Sequence, residues 1–156
     1  RRQRQMCIRD RLKARVKVIP TSSVPEGIST LLVLNEKPEE KEIREAINST
    51  RSAKITKAIR DGKRNNGIVY KKGDFVALYK KRIVTTSPDL SECLMKLLGE
   101  MEAERASLVH LFKGEPLSDK EVQQIEKKLN EEFKGTEIQI YDGGQPIYHF
   151  IVGVYQ

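Results

Sequence analysis

Cysteine is nearly absent from this chain. Its 156 residues carry two, Cys7 and Cys93, with neither the even framework of a disulfide-stapled domain nor the close pairing of a metal knuckle. A cytoplasmic protein with reduced thiols is the expectation that follows. Histidine is equally scarce, with only His110 and His149, whereas a metal centre needs several nitrogen, sulfur or oxygen ligands converging. Apolar runs are short, and none approaches the roughly 20 residues of a membrane-spanning helix. No apolar segment follows the basic start, so no secretory signal is expected. The phosphate loop GxxxxGK[ST], the dinucleotide fingerprint GxGxxG and the hydrolase elbow GxSxG are all missing, which removes the common backbone cradles for nucleotides and the serine-nucleophile turn.

What is present is charge. Charged residues make up 33% and hydrophobic ones 38%, the composition of one globular domain with a wet surface. The net charge of +7 invites a nucleic-acid reading. Its distribution argues against that. Of 29 basic and 22 acidic side chains, five arginines and one aspartate lie in "RRQRQMCIRDRL"; the remaining 24 and 21 leave a net of +3. That opening segment has no helical or strand period, and "MCIRDR" reads as the translation of a transposon-end adapter used in sequencing. Residues 1–13 are therefore expected to be a non-native or disordered tail, and 14–156 one domain truncated at its N-terminus.

Order begins at "RVKVIP", a short β-rich run that Pro20 stops. In "TSSVPEGISTLLVLN", Pro25 suits a first helical turn, and Ile28, Leu31 and Leu32 share the face expected to be buried. "KPEEKEIREAIN" starts a second helix, with Pro38 early and Ile43, Ala46 and Ile47 inward. Ile55, Lys57 and Ile59 alternate as in a strand. "IVYKKGDFVALYKKRIVT" reads as a meander punctuated by Gly73-Asp74 and Lys80-Lys81-Arg82. Two amphipathic helices follow. Ser87-Pro88-Asp89 caps the first, whose stripe is Leu90, Leu94, Leu97, Leu98 and Met101. The second opens with a capping box from Ser118 to Glu121 and buries Val122, Ile125, Leu129 and Phe133. "SLVHLF", "TEIQIY" and "IYHFIVGVY" complete the strands. The expected fold is α/β: a mixed, partly parallel sheet with flanking helices and a β meander in the middle.

Catalytic residues do not stand out. His110 sits between Val109 and Leu111 in a strand, His149 alternates with Tyr148 and Phe150, and Cys93 lies on an apolar helix stripe; each reads as structural. Lys71-Lys72 and Lys80-Lys81-Arg82 read as exposed turns able to steer an acidic partner or a phosphate. In "YDGGQPIYHF", Gly143 and Gly144 permit positive φ, Gln145 offers a donor and an acceptor, and Pro146 sets up the next strand. Both a tight turn and a recognition corner fit that stretch.

Three stretches, "VKVIPTSSVPEGISTLL", "AIRDGKRNNGIVYKKGDFVALYKKRIV" and "YDGGQPIYHFIVGV", resemble the C-terminal domain of the ATP-binding component of bacterial fatty acid kinase, a dihydroxyacetone-kinase-related family. The resemblance runs from about Arg15 to Gln156. It rests on Pro20, Thr21, Pro25 and Gly27 in the first stretch, on Arg60, Asp61, Gly73 and Asp74 in the second, and on Gly143, Gly144, Gln145, Pro146 and Tyr148 in the last. The chain departs from the family at Lys81, where a glycine is usual, and in the more basic "AKITKAIRD". The resemblance implies a non-catalytic domain that docks a fatty-acid-binding partner protein. The kinase domain of the parent protein, with ATP and magnesium, would then make acyl phosphate for phospholipid synthesis. No cofactor, metal or nucleic acid is implied for this chain itself, and the positions named are implied partner-docking positions. Rival readings are an accessory domain of a small hydroxyketone kinase, a basic nucleic-acid-binding module and a purely structural domain.

Overall fold

The computed structural model describes residues 18–34, 39–63 and 67–155. The expected tail, most of the first expected strand and Pro38 lie outside the described residues; Val18–Pro20 carry no regular structure. In chain order the elements are α1 (Val24–Leu34), α2 (Glu40–Ser49), β1 (Arg51–Lys57), β2 (Gly62–Lys63), β3 (Val69–Tyr70), β4 (Phe75–Tyr79), β5 (Arg82–Ser87), α3 (Leu90–Glu100), a short 3-10 turn (Ala103–Arg105), β6 (Leu108–Lys113), α4 (Asp119–Glu132), β7 (Glu137–Asp142) and β8 (Tyr148–Tyr155).

Six strands form one mixed sheet in the order β5-β4-β1-β8-β6-β7, while β2 and β3 form a separate hairpin. Only β6 and β7 run parallel among these pairs. Helix α4 joins them, as a crossover between parallel neighbours requires. The last strand is interior, paired with β1 on one side and β6 on the other.

Alternation along the strands sorts the two faces. Ala53, Ile55, Val109, Leu111, Phe150, Val152 and Val154 point to one side, where Leu94, Leu97, Leu98 and Met101 and then Val122, Ile125 and Leu129 close a continuous core. Both helices match their sequence patterns. Asp89 caps α3 by accepting from the Glu92 backbone at 2.7 Å, and Ser118 and Glu121 form the expected capping box on α4. Phe133 packs on that core only half-buried.

The opposite face is covered in part by α1, and here the expected burial pattern is corrected. Leu31 and Leu32 are exposed, at 64% and 59%, and Ile28 is half-buried. The buried residues of α1 are Pro25, Ser29 and Thr30. The reason is close approach: Gly153 offers no side chain, so the helix settles on small groups rather than leucines. Ser29 hydrogen-bonds Thr50 at the end of α2, and the Tyr155 hydroxyl donates to the Pro25 carbonyl at 3.5 Å. In α2, Ile43 is buried as expected, with Ala46 and Ile47 half-buried. Ile59 falls beyond the end of β1 and is 86% exposed, so the alternation that reaches it in the sequence is not structural.

Candidate functional site

The three motifs occupy two places. In the first, Ser22 donates to the Glu26 carboxylate from its backbone at 2.5 Å and from its hydroxyl at 2.9 Å, and Ser23 Oγ accepts from the Glu26 backbone at 3.3 Å. Burial alone would raise the Glu26 carboxyl, but these serine hydrogen bonds outweigh it and hold the group below its ordinary value. They also start α1 and set Pro25 over the sheet. Gly27 has open space where a Cβ would stand, so no crowding demands glycine there.

The middle motif is an architectural clasp. Asp61 accepts the Lys72 N–H at 2.6 Å, and Asp74 accepts the Lys71 N–H at 2.8 Å. Gly73, at φ 97°, donates to the Ala58 carbonyl, while Ala58 donates to the Asp74 carbonyl, both at 2.8 Å. Together they fix the turn into β4 at the end of β1. Arg60 is exposed.

The glycine-rich stretch before β8 is a packed turn. Gly143 N–H donates to the Lys113 carbonyl at 2.9 Å, Gln145 Nε2 donates to the Phe112 carbonyl at 2.6 Å, and the Gln145 carbonyl accepts from Glu115 at 3.1 Å. Gly144 sits at φ 59°, and a Cβ on Gly143 would collide with Gln145 Oε1. Pro146 is exposed. The Thr56 hydroxyl donates to the Ile147 carbonyl at 3.1 Å, and Phe75 meets the His149 ring edge-on at 5.1 Å. The middle and last motifs thus meet at one end of the sheet, and one N–H of the Gln145 amide is taken up by backbone closure.

Tyr148 goes elsewhere. It lines a cleft of about 690 Å³ on the α1 side of the sheet, together with Ser22, Ser23, Thr50, Lys54, Leu78, Tyr79, Lys80 and Lys81. Pro20 and Thr21 line an adjoining depression of about 440 Å³ that shares Ser22, Glu26 and Thr50 with it. The cleft and its adjoining depression thus bring Pro20 and Thr21 near Tyr148, whereas Pro25, Gly27, Arg60, Asp61, Gly73, Asp74, Gly143, Gly144, Gln145 and Pro146 stay outside both linings. Lys54 Nζ stands 4.9 Å from the centre of the Tyr148 ring, and Lys80 Nζ stands 5.0 Å from that of Tyr79. Arg51 also borders the cleft, but its guanidinium is held by the Met101 carbonyl at 2.6 Å and by Glu102 at 2.9 Å. Lys54 and Ser52 belong to no sequence motif because they are ordinary strand residues. Their one signal is the alternation that places them opposite Ala53 and Ile55.

The side chains considered for catalysis are enclosed. Burial pushes the Cys93 thiol up to about 12. It also lowers both histidines, aided at His149 by the neighbouring Lys57 ammonium. His110 packs edge-on against Phe112, Tyr141 and Tyr155. Among the described residues no three His, Cys, Asp or Glu side chains are grouped to hold a metal ion, and no helix is long and apolar enough to cross a membrane.

Comparison with known proteins places this arrangement. The family model for the FakA-like C-terminal domain of fatty acid kinase matches residues 3–155. Protein YloV of Bacillus subtilis strain 168 is 36% identical over 141 residues, which cover 88% of this chain and 25% of that protein. An uncharacterised protein of Staphylococcus aureus strain USA300 is 29% identical over 145 residues, or 90% of this chain and 26% of that protein. The chain thus spans about a quarter of the length of these relatives. Among solved structures, the fatty acid kinase B3 protein of Streptococcus pneumoniae, loaded with linoleic acid, overlays with a TM-score of 0.52 at 12% identity, over 83% of this chain and 54% of that one. That likeness is one of fold.

Proposed function

Because the chain belongs to the FakA-like C-terminal family of fatty acid kinase, we propose that it is the docking domain of a larger fatty acid kinase protein. In this reading it grips a fatty-acid-binding partner protein, while a kinase domain elsewhere in the parent supplies ATP, magnesium and the phosphoryl transfer. The observation that carries the reading is the family match across residues 3–155. The enclosure of Cys93, His110 and His149 supports a contribution other than covalent or acid–base chemistry.

A docking domain contributes by proximity. Holding the carrier beside the kinase turns a three-body encounter into a local one and raises the effective concentration of the acyl carboxylate near ATP. Charge and metal at the phosphoryl group belong to the kinase domain. The test is a pull-down of the partner by the full parent protein, with and without the region equivalent to residues 18–155. Binding is expected to disappear on deletion while ATP binding by the parent persists. Retained binding of the partner after deletion would refute the docking role.

A further inference from the structure

The cleft beside α1 has a charge balance that its own folding does not require. Glu26 is engaged by Ser22 and Ser23, and the Arg51 guanidinium is taken up by Met101 and Glu102. Lys54, Lys80 and Lys81 also border the cleft, and none of them has a carboxylate partner among the described residues. Lys54 and Lys80 rest on tyrosine rings instead, which steadies an ammonium without neutralising it. The lining also holds the Glu26 carboxylate, but three ammonium groups against one carboxylate leave the concavity with an excess of positive charge that attracts an anion.

The backbone gives a second, independent sign. Tyr79 pairs with Arg82 across a two-residue hairpin turn, and Lys80 and Lys81 both sit in the left-handed region, at φ 48° and 64°. Such turns favour Asn-Gly because both central residues need positive φ. A residue bearing a Cβ is disfavoured at each position. The hairpin register imposes that geometry, and the use of lysines in it sets two ammonium groups at the rim of the cleft. Register supplies the rest of the site: Ala53 pairs with Tyr79, so the lysine turn lies beside Ser52. Ser52 and Lys54 share the cleft face of β1, and neither the Ser52 hydroxyl nor Lys54 is spent on the core.

The geometry points to a binding site for a phosphate-sized oxyanion in this cleft, held by Lys54, Lys80 and Lys81 with the hydroxyl of Ser52. Phosphate is the chemistry that fits, because it accepts hydrogen bonds on every side and carries enough charge to answer three ammonium groups. The ion arrives either free or as a monoester whose organic part rests on Leu78 and Tyr148, the apolar part of the lining. The inference stands independently of the docking role, since it concerns only side chains of this chain.

The test titrates the full 156-residue chain with inorganic phosphate, and separately with phenyl phosphate, following backbone amide shifts against sodium chloride at matched ionic strength. Saturable shifts at Ser52, Lys54, Lys80 and Lys81 are expected with both phosphates and not with chloride. Tighter binding of phenyl phosphate identifies a monoester as ligand; equal binding identifies the free ion. Lys54→Ala is expected to weaken binding about tenfold. Lys81→Gly separates site from scaffold: it relieves the turn, so the denaturation midpoint rises, while phosphate binding weakens about tenfold. Shifts that chloride reproduces, or a Lys81→Gly variant that is stabilised yet binds phosphate unchanged, would overturn the assignment.

Discussion

Pro25 of α1 rests directly on Gly153 of β8. A Cβ at residue 153 would stand 2.8 Å from Pro25 Cβ, 2.9 Å from Pro25 Cγ and 2.9 Å from the Tyr155 hydroxyl. All are closer than real carbon contacts allow, and both neighbours are themselves hemmed in. The helix that forms one wall of the cleft is therefore positioned by the absence of a side chain on the strand below.

Gly153→Ala is accordingly expected to lift α1 while leaving the other face of the sheet intact. The loss of global stability should be about 1–3 kcal/mol, the usual penalty for overpacking. Hydrogen exchange is the sharper readout. Amides of Ile28–Leu34 should exchange faster, while those of Leu94–Leu98 in α3 keep their relative order of protection. Unchanged protection in α1 would mean that the contact does not hold the helix.

The histidines set a pH response whose sign is fixed by their enclosure. Both are lowered, by burial first of all. Above about pH 6.5 folded and unfolded chains hold the same number of protons at these rings. As pH falls below that value the unfolded chain protonates first, so stability declines until the folded-state values are reached. The lowered carboxylates, Glu26, Glu92, Asp119 and Glu121, act in a separate window. Their contribution is present above about pH 4 and is lost as pH falls further. Urea midpoints measured from about pH 7.5 to about pH 5 should thus drop, and His149→Phe should flatten the drop. A wild-type midpoint that does not move across this range would contradict the enclosure of the rings.

Cys93 should be silent in the folded state. It has no exposed surface, and its thiol, raised to about 12, contributes almost no thiolate at about pH 8. Iodoacetamide followed by peptide mapping is expected to leave Cys93 unmodified in the native chain and to modify it fully in denaturant. Appreciable native-state labelling at Cys93 would show that α3 opens from the sheet.

Much of this architecture is written locally. The stripe from Leu90 to Met101 and the capping box at Ser118 each combine period and punctuation within a dozen residues, so α3 and α4 are legible in the sequence alone. The face of α1 is not. Periodicity finds the apolar side of a helix, yet here small residues meet the sheet because Gly153, more than a hundred positions later, permits close contact. Nor can the turn at Gly143–Pro146 be told from a recognition corner in the sequence. The carbonyls of Phe112 and Lys113, which accept from Gln145 and Gly143 and hold that turn closed, lie in a distant segment. The cleft is illegible for the same reason: Ser22, Lys54, Lys81 and Tyr148 come from four separate segments. The paired lysines Lys80 and Lys81 and the alternation that sets Ser52 and Lys54 opposite Ala53 and Ile55 are its traces in the sequence.

The placement of β8 carries a consequence for how the molecule comes into being. It bridges β1 to β6, so the strand that comes latest of the six is the keystone between two otherwise unconnected halves of the sheet. A nascent chain emerging from the ribosome can form its hairpins and helices early, but it must wait with β1 and β6 each lacking a neighbour until β8 arrives. The interval is a period of vulnerability to wrong pairing, of a kind that chaperones relieve.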